Sequence, residues 1–335
     1  MGLGRRLYRG EIDVDFVGRR KLWYSLSAFL LLFSVAGLIF SAATHGSALN
    51  LGVEFKGGSV FSFAAPQAGI EKVRETMTEA GVHQPIVQQA GGSWRVTTET
   101  LDEANLSRVQ QSVAKDLGVD PAQISITSIG ASWGGEVATK AWLGLVVFMF
   151  AIILYLSMAF EPKMALAAIV ALLHDLVITA GIYAWSGFEV TPATLLGFLT
   201  ILGYSLYDAV VVFDMIKEVT AKLGTTSKKT YTMAANDALN HTLIRSLNTS
   251  LVAILPVAAI LFIGTTLLGA GTLKDLSLAL FVGMLVGTYS SLCVATPLLV
   301  TLKEREPKYQ AIAKRLASTG GGKSGGAKRP ATAKN

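Results

Sequence analysis

Six runs of apolar residues, each close to the length of a membrane-crossing helix, constrain this chain more than any other feature. They cover 22–43, 141–160, 164–186, 193–214, 247–268 and 277–301. A helix needs about 20 apolar residues to cross the hydrocarbon core of a bilayer. Apolar residues make up 51% of the 335-residue chain and charged ones 16%, and the excess is gathered into these blocks instead of being spread over a soluble core. The pattern predicts an α-helical membrane protein with six transmembrane helices and a lipid bilayer as its solvent.

Basic residues predict the orientation. Arg5, Arg6, Arg9, Arg19, Arg20 and Lys21 precede the first run; Lys217, Lys222, Lys228, Lys229 and Arg245 fall between the fourth and fifth; a third group starts at Lys303. Six crossings place all three groups on one side, so both termini are expected in the cytoplasm. The formal net charge of +6 then reflects topology, not nucleic-acid binding. The first run is too long for a signal-peptide core and reads as a signal anchor. Cys293, the single cysteine, has no intrachain partner and reads as a packing residue. The expected divisions are a cytoplasmic segment 1–21, a first span 22–43, an external region 44–139, a bundle 140–303, and a basic tail 304–335 disordered from about 318.

The external region alternates between two periods. A strand is expected to end the stretch 53–63, with others at 84–89, 93–98 and 124–129; Gly91-Gly92 turns between the middle pair. Ile70, Val73 and Met77 carry helical spacing over 67–80, as do Leu106, Val109, Val113 and Leu117 up to Gly118. The order β-α-β-β-α-β predicts an inserted ferredoxin-like α+β domain. His83 stands alone in a loop and reads as a surface residue. Gly320-Gly-Gly322-Lys323-Ser324 resembles the end of a P-loop, but Ala317 stands where the motif needs its first glycine, and no strand precedes it. Neither an enzyme active site, a metal site nor a cofactor site is expected.

Chemistry is expected inside the bundle. Asp208 interrupts the fourth apolar run, and a carboxylate there costs at least about 2.5–3.5 kcal/mol to insert. Gly197, Thr200 or Ile201, Tyr204 and Asp208 share one helical stripe, with Tyr207 beside it. Asp214, about 9 Å further along the axis, reads as interfacial. Arg245 is placed at the opening of span five, where it either pairs with Asp208 as a proton switch or snorkels to the interface. Asp175 in span three either joins a second polar stripe with Thr179 or belongs to a buried structural network with His174. Pro256, Gly264, Gly269 and Gly271 mark points of kinking or close approach.

Four stretches carry a resemblance: Asp15-Phe-Val-Gly-Arg-Arg20, Gly52-Val-Glu-Phe-Lys-Gly-Gly58, His174-Asp-Leu-Val-Ile-Thr-Ala-Gly181, and Gly203–Glu218 followed by Arg245-Ser-Leu-Asn-Thr-Ser250. In these the chain resembles the SecF family of the bacterial Sec protein-export machinery, within the RND superfamily. Glu54, Tyr207, Ala209 and Met215 depart from that family's usual Asp, Asn, Thr and basic residue; Asp208 and Arg245 are retained. The resemblance implies half of an RND-type bundle that needs SecD for its other half. It implies work beside the SecYEG channel, drawing unfolded preprotein outward at the expense of an ion gradient, H⁺ or Na⁺. It marks Asp208, Arg245, Asp175 and Tyr204 as the ion pathway, and Gly18, Arg19, Arg20, Gly57, Gly58, Gly203 and Asp214 as structural motif positions. A non-motor scaffold of the translocon and an RND-type exporter are the alternatives. An intramembrane aspartyl protease is disfavoured, since Tyr207-Asp208 has no Gly-x-Gly-Asp on a later span.

Overall fold

The computed structural model of the chain describes residues 14–83, 85–90, 92–224, 227–264 and 271–321. Arg5, Arg6, Arg9, Gly91, Gly269, the last four residues of the fifth apolar run and the tail from 322, with most of the P-loop-like run, lie outside the described residues. Among the described residues, six helices are long and apolar enough to cross a membrane: Arg20–Thr44, Ser132–Ala159, Pro162–Ser186, Pro192–Ala221, Tyr231–Gly264 and Leu273–Lys303. They are spans one to six below.

Two of these helices begin well ahead of their apolar run. Span two continues a helix that starts at Ala131, directly after the strand Ser125–Ile129, and the Glu136–Lys140 pair (2.7 Å) supports its polar first turns. Span five starts at Tyr231, where the Thr230 side chain accepts a hydrogen bond from the Met233 N–H. Arg245 is therefore well inside span five and does not open it. Four residues past Pro256, which cannot donate to the helical ladder, span five slips into a π turn at Ile260–Gly264.

Lipid offers little hydrophobic drive for helix association, so close packing of small residues has to hold the bundle. Spans four and six meet along Gly197 with Ala279, Ile201 with Gly283, and Ser205 with Gly287. A Cβ at Gly283 would lie 2.2 Å from the Ile201 side chain. Spans one and three meet in the same way at Ser34 and Gly181, and Trp185 donates its indole N–H to the Phe33 carbonyl at 2.9 Å.

The region between spans one and two forms a four-stranded antiparallel sheet in the order β3-β4-β2-β5. Its strands are β2 Gly58–Ala64, β3 Ile86–Ala90, β4 Ser93–Thr98 and β5 Ser125–Ile129. Helices Ile70–Glu79 and Glu103–Leu117 share its core, in which Phe61, Met77, Trp94, Val96 and Val113 are buried. As expected, a strand ends the stretch 53–63: it begins at Gly58, after a helical turn at Val53–Lys56. Gly57 (φ 80°) and Gly58 (φ 144°) force the break, and a side chain at 58 would meet the Thr98 carbonyl. A short parallel pair not foreseen from sequence, β1 Asn50–Leu51 with β6 Glu189–Val190, ties the segment after span one to the connector between spans three and four.

At the end of the bundle away from the sheet, the Asp15 carboxylate accepts the Gly18 N–H at 2.7 Å, leaving no room for a side chain at 18. Asn236 and Asn240 receive the N–H groups of Phe16 and Val14 at 2.9 Å. Arg20 pairs with Glu304 at 2.7 Å, whereas Arg19 is exposed. Lys303, buried, pairs with Glu161 and with Glu306 (3.2 Å), and Lys163 joins Glu306 at 3.0 Å. A helix Pro307–Gly321 follows, so the tail stays helical past 318, anchored by buried Ile312 and by Tyr309 against Tyr231.

Candidate functional site

Asp208 and Asp175 lie within the bundle, 5% and 3% exposed, each held by hydroxyls from two other helices or turns. Asp208 accepts Ser246 of span five at 2.5 Å on Oδ1 and Ser291 of span six on Oδ2. Asp175 accepts Ser205 of span four (2.6 Å) and Ser290 of span six (2.8 Å), both on Oδ2. Its Oδ1 lies 3.1 Å from His174 Nδ1, so the two neighbouring side chains do meet despite their divergence along the helix. Thr179 donates to the Asp175 backbone carbonyl at 2.8 Å. Beside these, Ser250 accepts hydroxyls from Tyr204 and Thr288, each at 2.8 Å.

Span six serves both aspartates at the point where a π turn, Ser291–Ala295, begins. Successive residues of a helix diverge by about 100°, and here Ser290 and Ser291 face different partners across spans three and four. π turns of this kind occur often at functional sites.

Two of these hydroxyls, Ser291 beside Asp208 and Ser290 beside Asp175, each carry one proton and have a second acceptor within reach. Ser291 Oγ is 3.1 Å from the Thr288 carbonyl, and Ser290 Oγ is 3.2 Å from the Gly287 carbonyl. With an ionised aspartate the hydroxyl donates to the carboxylate. With a protonated aspartate the carboxyl O–H donates to the hydroxyl, which turns to its backbone carbonyl. Both protonation states are satisfied, as a reversible proton-binding site requires.

The expected polar stripe of span four is corrected in detail. Gly197, Ile201, Ser205 and Asp208 form the buried line, while Thr200 faces outward and donates to its own Leu196 carbonyl at 2.7 Å. Tyr204 is half-buried beside that line and Tyr207 is exposed. Arg245 does not pair with Asp208. Its guanidinium is exposed and donates to the Tyr207 hydroxyl at 3.4 Å. The cause is helical phase: Ser246, the next residue, points into the bundle, so Arg245 points away. Arg245 instead shares an open cleft of about 470 Å³ with Asp214, Glu218 and His241. A side chain at Gly203 would meet open space.

Sequence reasoning passed over Ser205, Ser246, Ser290 and Ser291. The signal was available in Ala279, Gly283, Gly287 and Ser291, small residues four apart on an otherwise bulky helix. Among the described residues, no group of three or more His, Cys, Asp or Glu side chains could hold a metal ion.

Residues 109–305 match the family model described as protein export membrane protein SecD/SecF, C-terminal. The chain belongs to the SecD/SecF family. Within it, the chain is similar to the protein translocase subunit SecF of Streptomyces coelicolor, 48% identical over 94% of this chain and 83% of that one. The SecF of Mycobacterium tuberculosis strain H37Rv is 40% identical over 90% of this chain and 69% of its own. Among solved structures, SecDF of Thermus thermophilus, described as a translocon-associated membrane protein, superposes with a TM-score of 0.77 at 29% identity. That alignment covers 90% of this chain but 42% of the SecDF chain. With six membrane-capable helices and SecF relatives, this SecD/SecF family member is a multi-pass membrane protein.

Proposed function

We propose that this chain is a SecF-type subunit of a protein translocase, which pairs with a SecD subunit and uses the proton-motive force to assist late movement of unfolded preprotein through SecYEG. The observation that carries the reading is the pair of buried aspartates, each set among hydroxyls that satisfy its ionised and its protonated form. Each charge crossing the membrane field supplies about 2.3 kcal/mol per 100 mV. Proton binding at Asp208 weakens its hold on spans five and six, and at Asp175 its hold on spans four and six, so either biases one helix packing over another.

SecDF, a relative whose name joins both subunits, is more than twice as long as the part this chain covers, which leaves room for a SecD half. Arg245, turned away from Asp208, is then available to a carboxylate of that half. Both termini lie in the cytoplasm, and the β-α-β-β-α-β unit is a ferredoxin-like domain outside it. The coupling ion is H⁺; the subunit performs no hydrolysis and needs no cofactor.

The test is preprotein export into inverted membrane vesicles that contain SecYEG and SecD, with and without this chain. Gradient-stimulated export appears only when the chain is present. Equal stimulation without it contradicts the proposal.

A further inference from the structure

Glu189 lies outside the spans, in the connector 187–191 between spans three and four, yet it is 2% exposed. Its backbone is fixed on both sides. Gly187, left-handed at φ 68°, ends span three, Thr191 caps span four, and strand β6 pairs Glu189 with Asn50. Its side chain crosses to the sheet domain. Oε1 accepts the Thr97 hydroxyl at 3.2 Å, and Oε2 lies 3.6 Å from Arg95 Nη2, both on strand β4. Oε2 is wholly buried without a hydrogen-bond partner. The carboxyl thus sits in the seam between the sheet domain and the bundle, over a connector joining the helices that carry Asp175 and Asp208.

We propose that Glu189 is a proton-binding site at this seam: its protonation docks the sheet domain on the bundle, and its ionisation loosens it. The charged groups facing it are Arg95 on β4, Glu54 and Lys56 on the turn Val53–Lys56, and Asp275 at the start of span six, itself beside Lys274. Glu54 Oε2 is also buried without a partner, so two carboxylates compete for few donors. Burial is the largest effect on Glu189 and pushes its carboxyl above the ordinary range; Arg95 and the Thr97 hydroxyl draw it part of the way back.

The direction of the response follows by linkage. Undocking returns Glu189 to water and to an ordinary carboxyl pKa. The docked form therefore holds the proton more tightly, and docking strengthens as pH falls through the raised value and weakens as pH rises above it. The use of such a latch in export rests on the function proposed above: an acidic outer face would hold the domain down until the proton moves inward. Docking itself does not depend on that reading.

The test uses the full chain in lipid nanodiscs, in a Cys293→Ala background. Spin labels on Gln111→Cys in the sheet domain and Ser186→Cys at the end of span three, both exposed, report the distance across the seam. The expected result is a short-distance population that grows on acidification from about pH 8 to about pH 5, the docked-to-undocked ratio rising about tenfold for each pH unit of difference between the two carboxyl values. Glu189→Gln, shaped like the protonated acid, stays docked at every pH. Arg95→Gln, which removes the opposing cation, moves the transition to higher pH. A wild type that ignores pH, a Glu189→Gln protein that still responds, or one undocked throughout overturns the proposal. No export is measured, so the outcome is separate from the test of function.

Discussion

Ser290 and Ser291 are adjacent in the chain, yet they donate to different aspartates: Ser290 to Asp175 at 2.8 Å, Ser291 to Asp208. The roughly 100° between successive helical residues turns the two hydroxyls apart, just where a π turn begins at Ser291. Span six is thereby the element that touches both candidate proton sites, and a change in either carboxyl is felt along the same helix.

Replacing Ser291 by Ala removes one of two hydroxyl donors to Asp208. Hydrogen bonds to a charged group contribute about 1.5–3 kcal/mol, so gradient-stimulated export is expected to fall at least about tenfold with the subunit still present in the membrane. Ser291→Thr, which keeps the hydroxyl, retains most of it. Vesicle export alongside immunoblotting of the subunit separates the two variants, and equal export from Ser291→Ala and wild type contradicts the assignment.

Spans four and six approach through glycine, so side-chain volume there is selectively harmful. Gly283→Val drives a branched side chain against Ile201, whereas Gly287→Ala needs Ser205 to shift by only tenths of an ångström from a 3.1 Å contact. Overpacking of this kind costs about 1–3 kcal/mol. Thermal unfolding in detergent is expected to place Gly283→Val clearly below wild type and Gly287→Ala close to it.

Trp94 is 2% exposed in the sheet core and donates its indole N–H to the Ala65 carbonyl at 2.9 Å. Trp94→Ala is expected to destabilise the sheet domain by about 3–5 kcal/mol, leaving the helical bundle in place. Limited proteolysis of the membrane-inserted protein then cuts within 58–129 but spares the spans; a protease pattern like wild type would show that the domain tolerates the cavity.

Glu306 gives a pH dependence at the other end of the bundle. Burial alone would raise its carboxyl, but hydrogen bonds from Lys163 and Lys303 override this and hold it below the ordinary range. The sign follows: a depressed carboxyl contributes stability above its unfolded value and loses it as pH falls through the folded one. Melting temperatures are expected to drop on acidification below the ordinary glutamate range, with a smaller drop in Glu306→Gln, which starts less stable at neutral pH.

Much of this fold was legible because apolar length is a strong signal: over the described residues, each of the six apolar runs coincides with a membrane-capable helix. The helical extensions at Ala131 and Tyr231 were not, since their early turns are polar and take shape from caps and tertiary contacts. The alternation that ends 53–63 and that of 124–129 marked real strands, while the Val53–Lys56 turn was hidden by its apolar residues and revealed only by the φ of Gly57 and Gly58. At the site, Asp208 and Asp175 stood out as charges in apolar helices. Their partners did not, because a serine in a spanning helix is common and its helical phase must be known to within one residue. That same one-residue phase put Ser246, not Arg245, against Asp208. Glu189 carried no signal in the sequence, since only the pairing of β1 with β6 and the docking of β4 bury it.

The central claim is that Asp208 binds and releases the coupling proton. Its most direct test is Asp208→Asn, assembled with SecD in membrane vesicles and assayed for preprotein export with an imposed proton gradient and after the gradient is collapsed. The account predicts that the complex forms at wild-type level and that its export no longer responds to the gradient. Gradient stimulation undiminished in Asp208→Asn would contradict it and make Asp208 a structural residue of the bundle.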